Sequence, residues 1–399
     1  MARDSRLLGT AVGCSLAGRR TVRAMNGSRI LRTTGIVVVL LLGLALGGSA
    51  SARSLSVVPL VEHWDGTAWT QVGVPSGTSG LNAVVAPAAT DVWAFGSSRV
   101  AVHWNGTSWR RVSLPVPKGS AAPEFLGAAA LSRDDIWAVG DASPAHAPTQ
   151  ALIDHWNGSR WRYVPGPPKN AYSLDGVAAL SAHDVWAVGE TGVSTATGGG
   201  LRTLTIHWNG KAWKRVPSPN PTRMTSASAS FNDTLAAVSG TSARNVWAVG
   251  QYYVDANGTR GSRSLVLHWN GSRWKQDPTP DPLTPGHASY LSGVSAPSAT
   301  GVWAVGSVNR HGAAHALAEF WNGASWRIVH TTGPWLVGVS ALGAADAWAV
   351  GGRDGGGDVM HWKGSAWTVA TKLDKRRGLL ASAEVSPTDV WAVGGLVKH

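Results

Sequence analysis

Two interleaved tryptophan motifs, their sevenfold recurrence and the order of pieces at the two chain ends predict an all-β fold. That fold is a seven-bladed β-propeller of four-stranded antiparallel blades. The first motif reads "HWNGSRW" from His155 to Trp161, and its copies end at Trp69, Trp109, Trp161, Trp213, Trp274, Trp326 and Trp367. The second reads "DVWAVG" from Asp184, and its copies start at Asp91, Asp135, Asp184, Asn245, Gly301, Asp346 and Asp389. Two rings per copy of the first and one per copy of the second account for 21 of the 22 tryptophans, leaving Trp335 outside.

The chain opens with the features of an export leader, expected over residues 1–52. Arg19, Arg20, Arg23, Arg29 and Arg32 precede the apolar run "GIVVVLLLGLALG" from Gly35 to Gly47, and Ala50-Ser51-Ala52 has the small-x-small form of a cleavage site. Met25 offers an alternative start that shortens the leader, and retention as a signal anchor is the other reading of this segment. The run falls short of the roughly 20 residues a spanning helix needs, so no membrane span is expected after cleavage. The leader holds seven arginines and one aspartate of a chain whose formal charge is +12, so residues 53–399 keep +6. No basic run survives in them, which argues against nucleic acid as a partner. Cys14, the sole cysteine, leaves with the leader, excluding disulfides, thiolate metal sites and a cysteine nucleophile from the rest.

Each repeat unit then resolves into four strands. In residues 173–217, "SLDGVAALS" alternates as a first strand, "VWAVG" is the second, "LTIHW" the third and "KAWKRV" the fourth. Asn-Gly between the last two predicts a two-residue type I′ hairpin. On that register Trp156 faces Ser159, His155 faces Arg160 and Asp154 faces Trp161. The two tryptophans are then diagonal neighbours on one sheet face, with His155 on the other. Such a pair on every blade suits packing between blades, each indole N–H needing a partner. His63, His103, His155, His207, His268 and His361 share one position, where the fifth unit has Phe320. They lie on third strands of different sheets, too far apart to share an ion, and no metal or other cofactor is expected.

The ends complete the ring. The chain after the leader starts with a third-plus-fourth pair, "VVPLVEHWDGTAWTQV", and finishes with a first-plus-second pair, "LLASAEVSPTDVWAVGG". N-terminal outer strands paired with C-terminal inner strands close residues 53–399 into seven blades, hide the sheet edges and replace the missing disulfides.

"VWAVGG", a loop and then "HWKGSAWTV" resemble the kelch repeat, and the resemblance spans residues 57–397. Only Gly351-Gly352 and Gly394-Gly395 keep its double glycine, and Trp-Asn-Gly stands where kelch repeats have Tyr-Asp. The resemblance implies a propeller of the kind found in exported bacterial proteins and implies no activity. It also resembles the galactose-oxidase propeller, whose cysteine-linked tyrosine is excluded here.

First-to-second and third-to-fourth turns are short and uniform, whereas second-to-third and fourth-to-first connections vary and share the other face. That long-loop face is the expected binding surface. Its richest stretch, Gln251 to Arg263, is expected to be a loop carrying Tyr252, Tyr253, Asp255 and Arg260, with Arg310 and His311 on the next blade. Tyr290, His287 and Trp335 lie nearby, Trp335 starting an innermost strand. Glu190, Asp255, Asp354 and Asp358 are the acids available to a glycosidase, and no spacing selects a pair. "DANG" lacks the remaining acids of a calcium loop. Asn105, Asn157, Asn257 and Asn270 head glycosylation sequons, three of them being the hairpin turn itself. The expectation is a secreted or envelope-associated, monomeric, non-catalytic propeller that binds an extracellular glycan or protein. The alternatives are a glycan-active hydrolase or lyase using the same face, and a structural envelope protein.

Overall fold

The computed structural model describes residues 56–398 apart from 118, 145–148, 167–170, 196–197, 223–231, 257–258, 281–287, 311, 353–356 and 375. The leader expected over residues 1–52 lies outside them. The described residues form 28 strands in seven four-stranded antiparallel sheets, with no helix among them. Blades one to six span residues 81–113, 120–163, 171–215, 234–276, 288–328 and 336–372. The seventh joins the two ends. Arg377–Ser386 and Asp389–Lys398 supply its inner strands, and Ser56–Trp64 and Trp69–Gln71 its outer ones, with Ser56 opposite Lys398 and Trp64 opposite Val390. The closure expected from the chain ends is therefore formed by nine consecutive residue pairs.

The first strand of every blade is innermost, and each contacts the first strands of both neighbours, closing a ring around a central channel. A β-bulge recurs at one position in all seven, between Leu81 and Ala83 in the first blade and Leu379 and Ala381 in the seventh. It bends each strand where the blades crowd together. The residue after the bulge is always small: Ala83, Gly127, Gly176, Ala237, Gly293, Gly338 or Ala381. A Cβ on Gly127 would come within 2.7 Å of the Asp175 carbonyl of the next blade, and one on Gly293 within 2.7 Å of the Val337 carbonyl. The final glycine of "DVWAVG" has a related origin. In all seven copies a Cβ there would run into a backbone carbonyl of the innermost strand or of the residue just before it, as Gly189 would with Ser173.

The tryptophans bind blade to blade. The ring of each second motif is at most 2 % exposed and is covered from both sides. Its own blade covers one face with the shared histidine, or with Phe320 in the fifth blade: Trp137 stacks on His155 at 4.1 Å and Trp348 on His361 at 3.8 Å. The next blade brings its hairpin pair to the other side. Trp137 meets Trp208 and Trp213, both at 5.4 Å, the second ring 88° to it. The same cage repeats around the ring, and across the chain ends Trp348 meets Trp64 at 5.3 Å and Trp69 at 5.2 Å. Offset and edge-to-face packing of this kind adds about 0.5–1.5 kcal/mol per pair beyond the area it buries.

Two local expectations are corrected. The hairpin has a four-residue loop, so Trp156 stands directly opposite Trp161, His155 opposite Arg162 and Asp154 opposite Tyr163. The asparagine sets the loop: Asn157 Oδ1 accepts the amides of Ser159 and Arg160 at 3.2 and 3.1 Å, while Gly158 takes φ 85°. An Asx turn thus replaces the type I′ turn. The histidine still lies on the face away from the tryptophan pair. The second correction concerns the indoles. The first hairpin ring donates to a turn carbonyl in its own blade, as Trp156 does to Arg133 at 3.1 Å. The second hairpin ring and most second-motif rings keep buried N–H groups without an acceptor among the described residues.

Candidate functional site

Antiparallel strand order puts the second-to-third and fourth-to-first connections at one end of the ring, where the sequence places the variable loops. Three of the second-to-third connections are strand extensions and not loops. Asn245–Ala256 and Thr259–Trp269 pair without interruption from Val246–Trp269 to Ala256–Thr259, so the stretch Gln251 to Arg263 is a β-hairpin. Asp184–Thr195 with Gly198–Trp208, and Gly301–Arg310 with Ala313–Trp321, extend in the same way. The second strands of the first and sixth blades end at the motif glycine, Gly96 and Gly351, whereas those of the third and fourth run furthest past it, to Thr195 and Ala256.

Strand alternation separates the two tyrosines. Tyr252 points with Ala248 and packs half-buried into the core shared by the third and fourth blades, beside Val216 and Trp269. Tyr253 points to the opposite face of the sheet. They form no joint aromatic platform. Asp255 and Arg260 are backbone partners near the hairpin tip. Arg310 is exposed at the tip of the fifth-blade hairpin, opposite Ala313, and His311 lies outside the described residues, as do His287 and Asp354. Trp335 is half-buried and precedes the strand Leu336–Gly343 instead of starting it.

A polar cluster missed by sequence reasoning fastens the two tallest hairpins. Asp233, fully buried, takes the Thr222 amide at 3.1 Å and its hydroxyl at 2.7 Å on one oxygen, and Arg202 at 2.9 Å on the other. The Thr222 hydroxyl accepts the Tyr253 amide at 3.0 Å. Burial pushes the Asp233 carboxyl upward, and the Thr222 and Arg202 bonds oppose that shift. One buried acid therefore ties the third-to-fourth connection to both hairpins. No local signal announces it, because its partners lie 11 and 31 residues away.

The channel is narrow, a cavity of about 180 Å³ lined mainly by alanine, glycine and valine, with Asn82, Asp175, Ser292 and Ser382 as its polar residues. Organic ligands occupy roughly 300–1,000 Å³, so the channel suits water and the face above it is the roomier surface. At its rim Glu124 accepts from Asn82 and Ser97, both at 3.1 Å, and Ser173 donates to Asp141 at 3.1 Å. Of the acids open to a glycosidase, Glu190 is buried in the third blade and Asp358 half-buried in the sixth, its carboxyl raised by burial. They stand on opposite sides of the ring. No group of three acidic, histidine or cysteine ligands occurs among the described residues.

The six histidines have a structural assignment. Each donates Nε2–H to the first residue of its own blade's second motif, as His155 does to Asp135 at 2.9 Å and His268 to Asn245 at 2.8 Å. Burial lowers the proton affinity of His103 and His268.

No family model and no curated protein matches the chain. Solved structures do. YCF48 from Cyanidioschyzon merolae is similar at a TM-score of 0.52 and 15% identity, over 83% of this chain and 98% of that one. A structure described as YCF48 bound to D1 peptide is similar at 0.50 and 13%, over 83% and 96%. The RRP9 WD40 repeats are similar at 0.52 and 11%, over 81% and 96%. These likenesses carry the propeller and nothing more specific, leaving the kelch resemblance where the sequence placed it. The chain is a seven-bladed β-propeller.

Proposed function

We propose that this propeller is a non-catalytic scaffold of an exported protein, binding a protein or glycan partner on its long-loop face. The observation that carries this reading is the Asp233–Thr222–Arg202 cluster, which holds two raised hairpins in fixed positions. Preorganised hairpins on a rigid ring lose little entropy on binding. A propeller of the same architecture is described as peptide-bound, which favours a peptide or protein partner over a glycan. The leader-like residues 1–52 support export.

The test is an array of peptides and neutral polysaccharides probed with residues 53–399 and with a Tyr253→Ala, Arg310→Ala variant. The expected result is binding to one class that the variant weakens at least tenfold while its melting temperature is kept. Absence of binding, or binding indifferent to the variant, would overturn the reading, and release of cleaved product would replace it with the hydrolase.

A further inference from the structure

The net charge of residues 53–399 conceals a concentration of cations that only the fold reveals. On the second, third and fourth blades, the short-turn end and the outermost strands carry Arg133, Arg160, Arg162, Lys211, Lys214, Arg215, Arg244, Arg273 and Lys275, all exposed. The only exposed acid among them is Asp134, since Asp135 and Asp184 are held by His155 and His207. Arg133 donates to Thr90 of the first blade at 2.7 Å, and none of the other eight has an acidic partner among the described residues. On the same three blades the opposite, long-loop end is mixed in charge, with Asp141, Asp175, Glu190 and Asp233 beside Arg202 and Arg263. The sixth and seventh blades have only Lys363 and Asp65 in their short hairpin turns.

Protection of sheet edges explains part of this. Cations on Trp161–Tyr163, Trp213–Arg215 and Trp274–Gln276 discourage edge-to-edge pairing of short outer strands. It does not explain Arg133, Arg160, Lys211, Arg244 and Arg273, which stand in turns and protect no edge. Turn and strand cations together run from the end of the ring over onto its side wall. A flat membrane meets one plane, whereas a flexible chain follows such a bend. The tryptophans beneath are engaged between blades, as Trp156 is with Trp93 and Trp161, so among the described residues no fully exposed ring stands on this surface to stack on nucleic-acid bases. Guanidinium forks suit carboxylate and phosphate groups, and of the flexible polyanions that carry them only a polysaccharide needs no base stacking.

We infer that the short-turn end of the second to fourth blades is a binding surface for an acidic polysaccharide. It is distinct from the long-loop face and independent of any partner there. Ser56 pairs with Lys398 at the long-loop end, the end of the ring opposite this surface.

Binding of residues 53–399 to polygalacturonate by calorimetry, at 50 and 200 mM NaCl, tests the inference. An Arg160→Ser, Lys211→Ser, Arg273→Ser variant serves as the comparison. Serine stands at matching turn positions in other copies, at Ser108, Ser159, Ser272 and Ser325, so the fold is expected to persist. The parent should bind at 50 mM and weaken about tenfold or more by 200 mM, and the variant should lose about tenfold at 50 mM. Lys363→Ser on the sixth blade should change nothing. No binding by the parent, binding indifferent to the triple variant, or tighter binding to single-stranded oligo-dT or phosphatidylglycerol vesicles would each overturn the assignment.

Discussion

Asp154 occupies a position filled by Val102, Ile206, Leu267 or Met360 in four other blades, facing the core between sheets. Its carboxyl is fully buried, and neither oxygen has a partner among the described residues. Burial raises it to about 8 from an ordinary 3.8. Between those values the folded protein must hold a proton that the unfolded chain releases, so stability falls as pH rises through that window and stops falling above it. Asp154→Leu should therefore raise Tm by about 2–6 °C at pH 8 and leave it nearly unchanged at pH 4. Parallel Tm–pH curves for parent and variant would contradict this. The histidine position is argued from a substitution the molecule already contains. In the fifth blade the histidine is Phe320 and its partner is Gly301, so a ring contact persists, tilted by 51°, while donor and acceptor are lost together. His155→Phe should cost about 1–3 kcal/mol by stranding the half-buried Asp135. Adding Asp135→Gly should return at least about 1 kcal/mol of it in a denaturation double-mutant cycle, whereas simple addition of the two costs would show the pair uncoupled.

At the scale of the strand, periodicity made nearly every element legible, because period-2 alternation and Asn-Gly turns are local signals. What escaped was set by contacts between elements. The hairpin register differs because Asn157 Oδ1 binds two amides beyond the glycine, lengthening the loop while keeping both tryptophans on one face. Gln251 to Arg263 read as a loop because its glycines, arginine and aspartate are poor strand formers, and ladder pairing with its own second half overrides that preference. The recurrent bulge has no signature except the small residue after it. The glycines ending the second motif were legible as a pattern and unexplained until the innermost strand lay beside them. Gly189→Ala should cost at least about 2 kcal/mol in chemical denaturation, against at most about 0.5 kcal/mol for Gly343→Ala, where nothing lies within 4 Å. Equal effects would show that the close approach at Gly189 is relaxed in solution.

Across the whole molecule, seven copies and the split unit at the chain ends were enough to specify the ring. The candidate surfaces were less legible, because they depend on which turns meet on one face. Tyr252 and Tyr253 are adjacent in sequence yet lie on opposite faces of their sheet, whereas Arg160, Lys211 and Arg273 are far apart in sequence and share one surface. Without a disulfide in the ring, cohesion rests on seven equivalent tryptophan cages, including the one that joins Trp348 to Trp64 and Trp69. The most direct test is equilibrium unfolding of residues 53–399 carrying Trp64→Ala and Trp69→Ala at the closure, beside Trp208→Ala and Trp213→Ala at an internal interface. Equivalent cages predict comparable losses, up to roughly 3–5 kcal/mol per ring, each in a single transition. A closure variant as stable as the parent, beside a destabilised internal one, would contradict the closed ring.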